Sequence, residues 1–333
     1  MKKLYFLLPG TTRKYGGGGL WAELKTVELA DQLCPCKIVT YRQPETDHAF
    51  LPELLRKGGL EASIFVLSWG FDVPKLVKRL EGYNLLYHAH SSGYGFSLPP
   101  SVPIIAVSRN TMGYWGEKSP NAPIYYLPNR IGDEFRYHGG QRDIDVLVQA
   151  RKSSSYLLRQ LVPALSSRCR VQLLDGFVED LAGLFNRSKI YLYDSAEYWR
   201  VSGLTEGFGL PPLEALACGC RVFSSVNHAL ADYLDPPINC EKIGVYSCQY
   251  DVERILNAIE NFSGPSVDER FLEIYRPPSL LPRLEKILLD INDFFDMRHK
   301  YTGNIKGLDD WRVRRLWVER SISKIKNKLM IGQ

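Results

Sequence analysis

Short apolar runs alternate with amphipathic stretches along most of the chain, and the alternation occurs twice, on either side of a polar break. βαβ units produce this pattern. Parallel strands covered on both faces read as continuous apolar runs, and the crossovers between them read as helices with one apolar face. In the first half, strands are expected at Lys3–Leu8, Lys37–Tyr41, Ser63–Leu67, Asn84–His88, Pro103–Val107 and Ile124–Tyr126. Helices such as Leu20–Leu33 and Val73–Leu80 lie between them. The pattern lapses over Asp133–Asp143, around Gly139 and Gly140, and a domain boundary is expected there. It resumes with strands Ile144–Gln149, Arg170–Leu174, Lys189–Tyr193 and Arg221–Ser224. Two doubly wound α/β domains in tandem follow, over 1–138 and 143–298, facing a central cleft where the carboxyl ends of the strands meet ligands.

Composition excludes several other classes. Across 333 residues, 45% are hydrophobic and 24% charged, which is neither disordered nor membrane-embedded composition. No stretch reaches the ~20 apolar residues of a membrane span. The apolar run at the N-terminus stops at Pro9, short of a signal peptide's core, and reads as a buried first strand. A net charge of +5 is too small to argue for nucleic acid, but it suits an anionic ligand or anionic lipid if concentrated locally. The seven cysteines are odd in number, and the pairs Cys34/Cys36 and Cys218/Cys220 lack partner pairs at zinc spacing. A reduced, cytoplasmic setting with no metal site is expected.

The chemistry concentrates in Thr205-Glu206-Gly207-Phe208-Gly209-Leu210-Pro211-Pro212-Leu213-Glu214, a glycine-flanked loop entering a helix. Proline suits the first helical turn, where an absent N–H costs nothing. Gly207 and Gly209 allow close backbone approach to a ligand, and free amides at a helix start suit an anion such as a diphosphate. Glu206 and Glu214 stand where two carboxylates can reach one side of that anion and accept hydrogen bonds from vicinal hydroxyls.

This segment resembles the E-x7-E motif of retaining glycosyltransferases of family 4, whose GT-B fold has two Rossmann-like domains. The likeness continues, in order, through the Gly16–Gly19 loop, the strand ending at Ser108, and the turn Leu127–Asp133. It implies a hexose donor carried on a UDP-type or GDP-type nucleotide, with no other cofactor, and a glycan or lipid-linked acceptor in polysaccharide or glycoconjugate assembly. Glu206 would contact donor-sugar hydroxyls, with the backbone of Gly207, Phe208 and Gly209 nearby. Glu214 would take the ribose hydroxyls, and the Leu210 amide would face the diphosphate. Family members use an Arg and a Lys after the first strand of the second domain, and here Arg151-Lys152 follows Ala150. The family lysine usually stands several residues later, so Lys152 or Arg159 is its counterpart. Two cations opposite a helix start would clamp a leaving diphosphate. The resemblance also implies a histidine near the donor sugar, for which His90 is preferred to His88, and a glycine loop at Gly16 and Gly17 that lets a phosphate approach.

Asp143-Ile144-Asp145 spells a metal-binding Asp-x-Asp, but it opens a strand directly after the linker and reads as a strand-start pair. Asp175, Gly176 and Phe177 are candidates to border a nucleobase, and the segment Asp194–Thr205, with Tyr198, Trp199 and Arg200, reads as a long loop able to cover a ligand. Residues 299–333 read as a basic helical tail, with Val318, Ile322, Ile325 and Leu329 at helical spacing. Packing back on the N-terminal domain is its expected fate, and peripheral contact with an anionic membrane is the alternative.

Overall fold

The structure is a computed structural model and describes residues 1–176 and 178–331. Its first sheet holds seven strands: β1 (Leu4–Leu8), β2 (Cys36–Thr40), β3 (Ala49–Phe50), β4 (Ile64–Leu67), β5 (Asn84–Ala89), β6 (Ile104–Ala106) and β7 (Ile124–Tyr126). The second holds five: β8 (Ile144–Gln149), β9 (Val171–Leu174), β10 (Ser188–Tyr193), β11 (Arg221–Ser224) and β12 (Cys240–Lys242). The orders are β3-β2-β1-β4-β5-β6-β7 and β12-β11-β10-β8-β9, and the paired strands run parallel. The two strands the apolar pattern does not announce, β3 and β12, are short edge strands. An edge strand has too little covered surface to demand an apolar run.

Each sheet is covered on both faces, which explains the uninterrupted apolar runs. In the first domain Tyr5, Leu7, Phe65 and Tyr87 face one core, while Leu4, Phe6, Val66 and Leu86 face the other. In the second domain Leu147, Tyr191 and Val222 point one way and Val146, Val148, Ile190, Leu192 and Phe223 the other. This alternation gives each strand two buried faces.

The long helix Pro277–Arg298 packs on the first domain, although the sequence pattern groups it with the second. Leu280, Leu284, Leu288, Ile291 and Phe295 join Leu4, Phe6 and Leu29 in one core. Hydrogen bonds from Tyr125 to Asp290 and from Arg298 to Asn84 fix its register. The return across the first domain expected of the tail is thus made by this earlier helix, because its apolar stripe matches the open face of that sheet. The following helix, Asp310–Ile331, is not packed there, and most of its described side chains are exposed.

The order reversals place the crevice. In the first sheet β1 and β4 are neighbours, so the chain leaves β1 towards one side and β4 towards the other. In the second sheet the same reversal falls between β8 and β10. The loops after β1 and β4, and those after β8 and β10, therefore flank the openings in which open parallel sheets hold ligands.

Candidate functional site at the domain crevice

The loop before the helix Leu210–Ala217 is fixed from below by its own domain. Glu206 is buried, and three donors converge on its Oε2: the Tyr193 hydroxyl at 2.7 Å, the Ser195 hydroxyl at 3.0 Å and the Trp199 indole N–H at 2.5 Å. Among the described residues none reaches Oε1. Tyr193 ends β10, and Trp199 lies on a short helix, Ala196–Ser202, within the segment expected to be a loop. That helix turns Trp199 inwards, while Tyr198 stays exposed.

The other domain holds the loop from above. The Ser91 hydroxyl donates to the Thr205 carbonyl at 2.6 Å, the Thr205 amide donates to the Ser92 carbonyl, and the Thr111 hydroxyl donates to the Gly207 carbonyl. Gly207 abuts the His90 carbonyl so closely that a Cβ would overlap it. Glycine is demanded here by this approach across the crevice. Gly209 is demanded by conformation as well: its φ of 77° lies in the left-handed region, and a Cβ would strike Leu230.

No side chain caps the helix that begins at Leu210. Pro211 and Pro212 have no N–H, so only Leu210 and Leu213 carry an amide among its first four positions. Glu214 sits one turn in, 7% exposed, and its carboxylate has no hydrogen-bond or ion-pair partner among the described residues. Burial pushes its carboxyl up to about 7, opposed by Lys25, which is itself within 3.8 Å of Glu134.

Arg151 and Lys152 leave the end of β8. The Arg151 guanidinium lies 3.5 Å from the point where a Cβ on Gly17 would stand, so the glycine loop after β1 and the cation after β8 face one another. Lys152 adopts a left-handed φ of 66°, unusual for a lysine, and its ammonium lies 4.3 Å from the Trp199 ring centroid. Burial lowers its pKa, with Glu206 opposing. Arg159 is exposed on the next helical stretch.

His90 follows β5 and shares a partner with His88. Oε2 of Glu23, on the helix Gly18–Ala30, stands 2.5 Å from His88 Nδ1 and 2.7 Å from His90 Nε2. Burial raises the Glu23 carboxyl, but the His88 charge and the two imidazole hydrogen bonds outweigh it and bring it down to about 2. Burial lowers the His90 pKa. An ionised carboxylate accepts only, so both imidazoles donate to it, and the tautomer assigned to His90 leaves Nδ1 as an acceptor. This trio carries metal-ligand chemistry. Tetrahedral zinc with bonds near 2.1 Å would hold its ligand atoms roughly 3.4 Å apart, so these spacings are those of hydrogen bonds.

The Asp-x-Asp carboxylates are engaged elsewhere. Asp143 pairs with Arg187, and Asp145 pairs with Arg170 at 3.1 Å and Lys189 at 2.9 Å. Ser108 caps the helix Arg109–Lys118 by accepting from the Thr111 amide at 3.1 Å. The seven cysteines are free thiols.

Neither a protein-family model nor a curated protein sequence matches the chain. Solved structures do. The UDP complex of HepE from Anabaena superposes with a TM-score of 0.63 at 15% identity, covering 87% of this chain and 100% of that one. Sucrose-phosphate synthase from Thermosynechococcus elongatus gives 0.60 at 13% identity, covering 87% and 99%. A glycosyltransferase from Rickettsia africae gives 0.61 at 11% identity, covering 88% and 98%. The fold is GT-B. Within this GT-B frame, the residues singled out by sequence fall around one crevice. Gly17 faces Arg151 while Gly16 lies against the Arg13 backbone, Lys152 lies beside Trp199 and within reach of the Glu206 charge, and His90 touches Gly207. Phe177 lies outside the described residues.

Sequence reasoning missed Glu23, Tyr193 and Ser195, and it read Trp199 as part of a covering loop where the structure has its indole anchoring Glu206. Tyr193 is the last residue of a strand at the order reversal, a position that carries a signal. Glu23 lies one turn beyond the glycine loop on a helix face otherwise turned to the core, and a buried carboxylate there requires partners.

Proposed function

We propose that this protein is a retaining glycosyltransferase, moving a hexose from a nucleoside-diphosphate sugar to a glycan or lipid-linked acceptor in polysaccharide or glycoconjugate assembly. The observation that carries the proposal is the meeting, in one crevice, of a cation pair, an uncapped helix start and a carboxylate held by three donors. In this reading Arg151 and Lys152 neutralise the diphosphate as it leaves, with the Leu210 amide adding a fixed dipole. Glu206 presents Oε1 to sugar hydroxyls while Oε2 stays anchored. Glu214 receives the ribose hydroxyls, and Gly16 and Gly17 let the phosphates lie against the backbone. HepE, a structural neighbour, is described in complex with UDP and glucose, which supports a ligand of this class.

No side-chain nucleophile is assigned. The roles above are positioning and charge stabilisation, and a donor phosphate oxygen would take the acceptor's proton on the face the leaving group vacates. The donor needs no metal in this scheme, because the cations are supplied by the chain.

The test is a panel of UDP and GDP sugars with product analysis by NMR. Release or transfer of sugar with retained anomeric configuration is expected, and Glu206→Gln should lower turnover by about 10²–10⁴-fold. Unlike alanine, glutamine keeps an acceptor oxygen for the three anchoring donors, so its effect reads on chemistry more than on folding. Isomerised donor with no transfer would point to an epimerase, and binding without turnover to a non-catalytic subunit.

A further inference from the structure

The helix Asp310–Ile331 has no place in the two-domain core, yet its charge is far from random. It carries seven Arg and Lys against two Asp and Glu, a net +5 equal to that of the whole chain. The other residues of the protein therefore sum to zero, and the net charge of the molecule resides in this one element.

The helix also exposes apolar surface. Trp311 is 70% exposed, Trp317 69%, Ile325 59% and Ile322 49%. Trp311, Val318, Ile322 and Ile325 recur at offsets of seven, eleven and fourteen residues, which places them along one line of a helix with 3.6 residues per turn. Arg314 and Arg315 flank that line. Among the described residues, its side-chain bonds stay within the helix and its approach: Arg315 pairs with Glu319, Ser321 donates to the Trp317 carbonyl, and Arg312 donates to the carbonyls of Lys306 and Gly307. No described helix is long and apolar enough to cross a membrane.

We infer that this helix is a docking surface for the face of a bilayer containing anionic lipid, lying in the interface with the Trp311–Ile325 line turned into the acyl boundary. Charge complementarity selects that occupant. A second copy would bring +5 against +5, and a neutral partner would leave the cations without counterpart. Trp311 on that line, with basic residues flanking it, matches the polarity gradient of the headgroup region, where an indole is half apolar and half hydrogen-bonding. The inference does not rest on the transferase reading, since membrane binding and donor turnover are measured separately.

The full chain is mixed with vesicles of phosphatidylcholine alone, or with phosphatidylglycerol added to half, and sedimented. Binding is expected to the mixed vesicles only and to weaken with salt. At about 1 kcal/mol per basic residue near the surface, Arg312→Glu/Arg314→Glu/Arg315→Glu should reduce partitioning at least about 100-fold. The variant Ile322→Ser/Ile325→Ser should reduce it with the charge intact. Circular dichroism and donor turnover should match the parent for both, because the isoleucines are exposed and the arginines' bonds stay within the helix and its approach. Equal sedimentation of parent and variants, or equal binding to both vesicle types, overturns the inference. So does a concentration-dependent dimer abolished by the Ile322/Ile325 variant without vesicle binding.

Discussion

Glu214→Gln should make this protein more stable above neutral pH while weakening its grip on a nucleotide. The carboxylate is buried, unpartnered among the described residues, and raised from 4.5 to about 7 by loss of water. A carboxyl with a raised folded-state pKa works against the fold. Below the unfolded value both states are protonated and nothing is lost, whereas above the folded value both are ionised and the full penalty applies. A displacement from 4.5 to about 7 is worth about 3 kcal/mol at pH 8, and at pH 5 the same linkage leaves only about 1 kcal/mol. Glutamine keeps the shape and cannot ionise. Its stabilising effect should therefore grow from pH 5 to pH 8, reaching several degrees in melting temperature.

Nucleotide binding should run the other way. Ribose hydroxyls donate best to the charged carboxylate, so the affinity of the parent for UDP should rise as pH passes from about 6 to 8. The Glu214→Gln affinity should stay flat and lie about tenfold lower at pH 8, the size of one hydrogen bond to a charged group. Scanning calorimetry at pH 5 and pH 8, with calorimetric titration of UDP at both, measures each arm. A stability gain equal at the two pH values would refute the reasoning, because it would mean the carboxylate is not penalised for its charge. So would an unchanged pH dependence of UDP affinity in the glutamine variant.

Other perturbations probe the rest of the crevice. Gly207→Ala requires the loop to retreat from the His90 carbonyl, so donor turnover should fall at least about 100-fold while the melting of each domain changes little; wild-type turnover would show that the contact is dispensable. Glu23→Gln should destabilise the protein at pH 7 by about 2–3 kcal/mol, because a carboxyl held near 2 contributes stability above 4.5 that is lost as pH falls towards 2. Chemical denaturation at pH 7 and pH 3 reads this difference, and a destabilisation that failed to shrink at pH 3 would count against the imidazole pairing. Arg151→Ala should weaken UDP binding about tenfold or more with little change in stability, since the side chain is exposed and opposes the glycine loop. Titration calorimetry checks it, and unchanged affinity would remove Arg151 from the diphosphate site.

The sequence was most legible where one requirement dominated. Strands buried on both faces announce themselves, which is why Ile144–Gln149 and Arg221–Ser224 stand where the apolar runs predict. The helix entry at Leu210 was legible from its glycines and prolines, because few other residues tolerate that backbone. Partnerships were not legible. Nothing local in Trp199 says that its indole will hold Glu206, and the Asp194–Thr205 stretch reads as loop because its helix, Ala196–Ser202, is short. Glu23 and His88 lie 65 positions apart, and their contact is set by the packing of a helix on a sheet. The destination of Pro277–Arg298 was hidden for a similar reason: an apolar stripe records that a face will be covered, without recording which domain covers it.

These contacts make the loop Thr205–Gly209 the joint of the molecule as well as the wall of its crevice. Its carboxylate is anchored to the second domain through Tyr193, Ser195 and Trp199, while its backbone is bonded to the first through Ser91, Ser92 and Thr111. A group that moves either domain must therefore strain or release this segment. A ligand drawn to Arg151 on one side and Gly17 on the other engages both domains too, so its binding and the geometry of Glu206 are coupled through the same few residues. The Ser91 hydroxyl bonds the Thr205 carbonyl and the Ser92 hydroxyl shares a hydrogen bond with the Thr205 hydroxyl, so the Ser91→Ala/Ser92→Ala variant should weaken a ligand that neither serine touches, and an affinity for UDP equal to that of the parent would show the two to be independent.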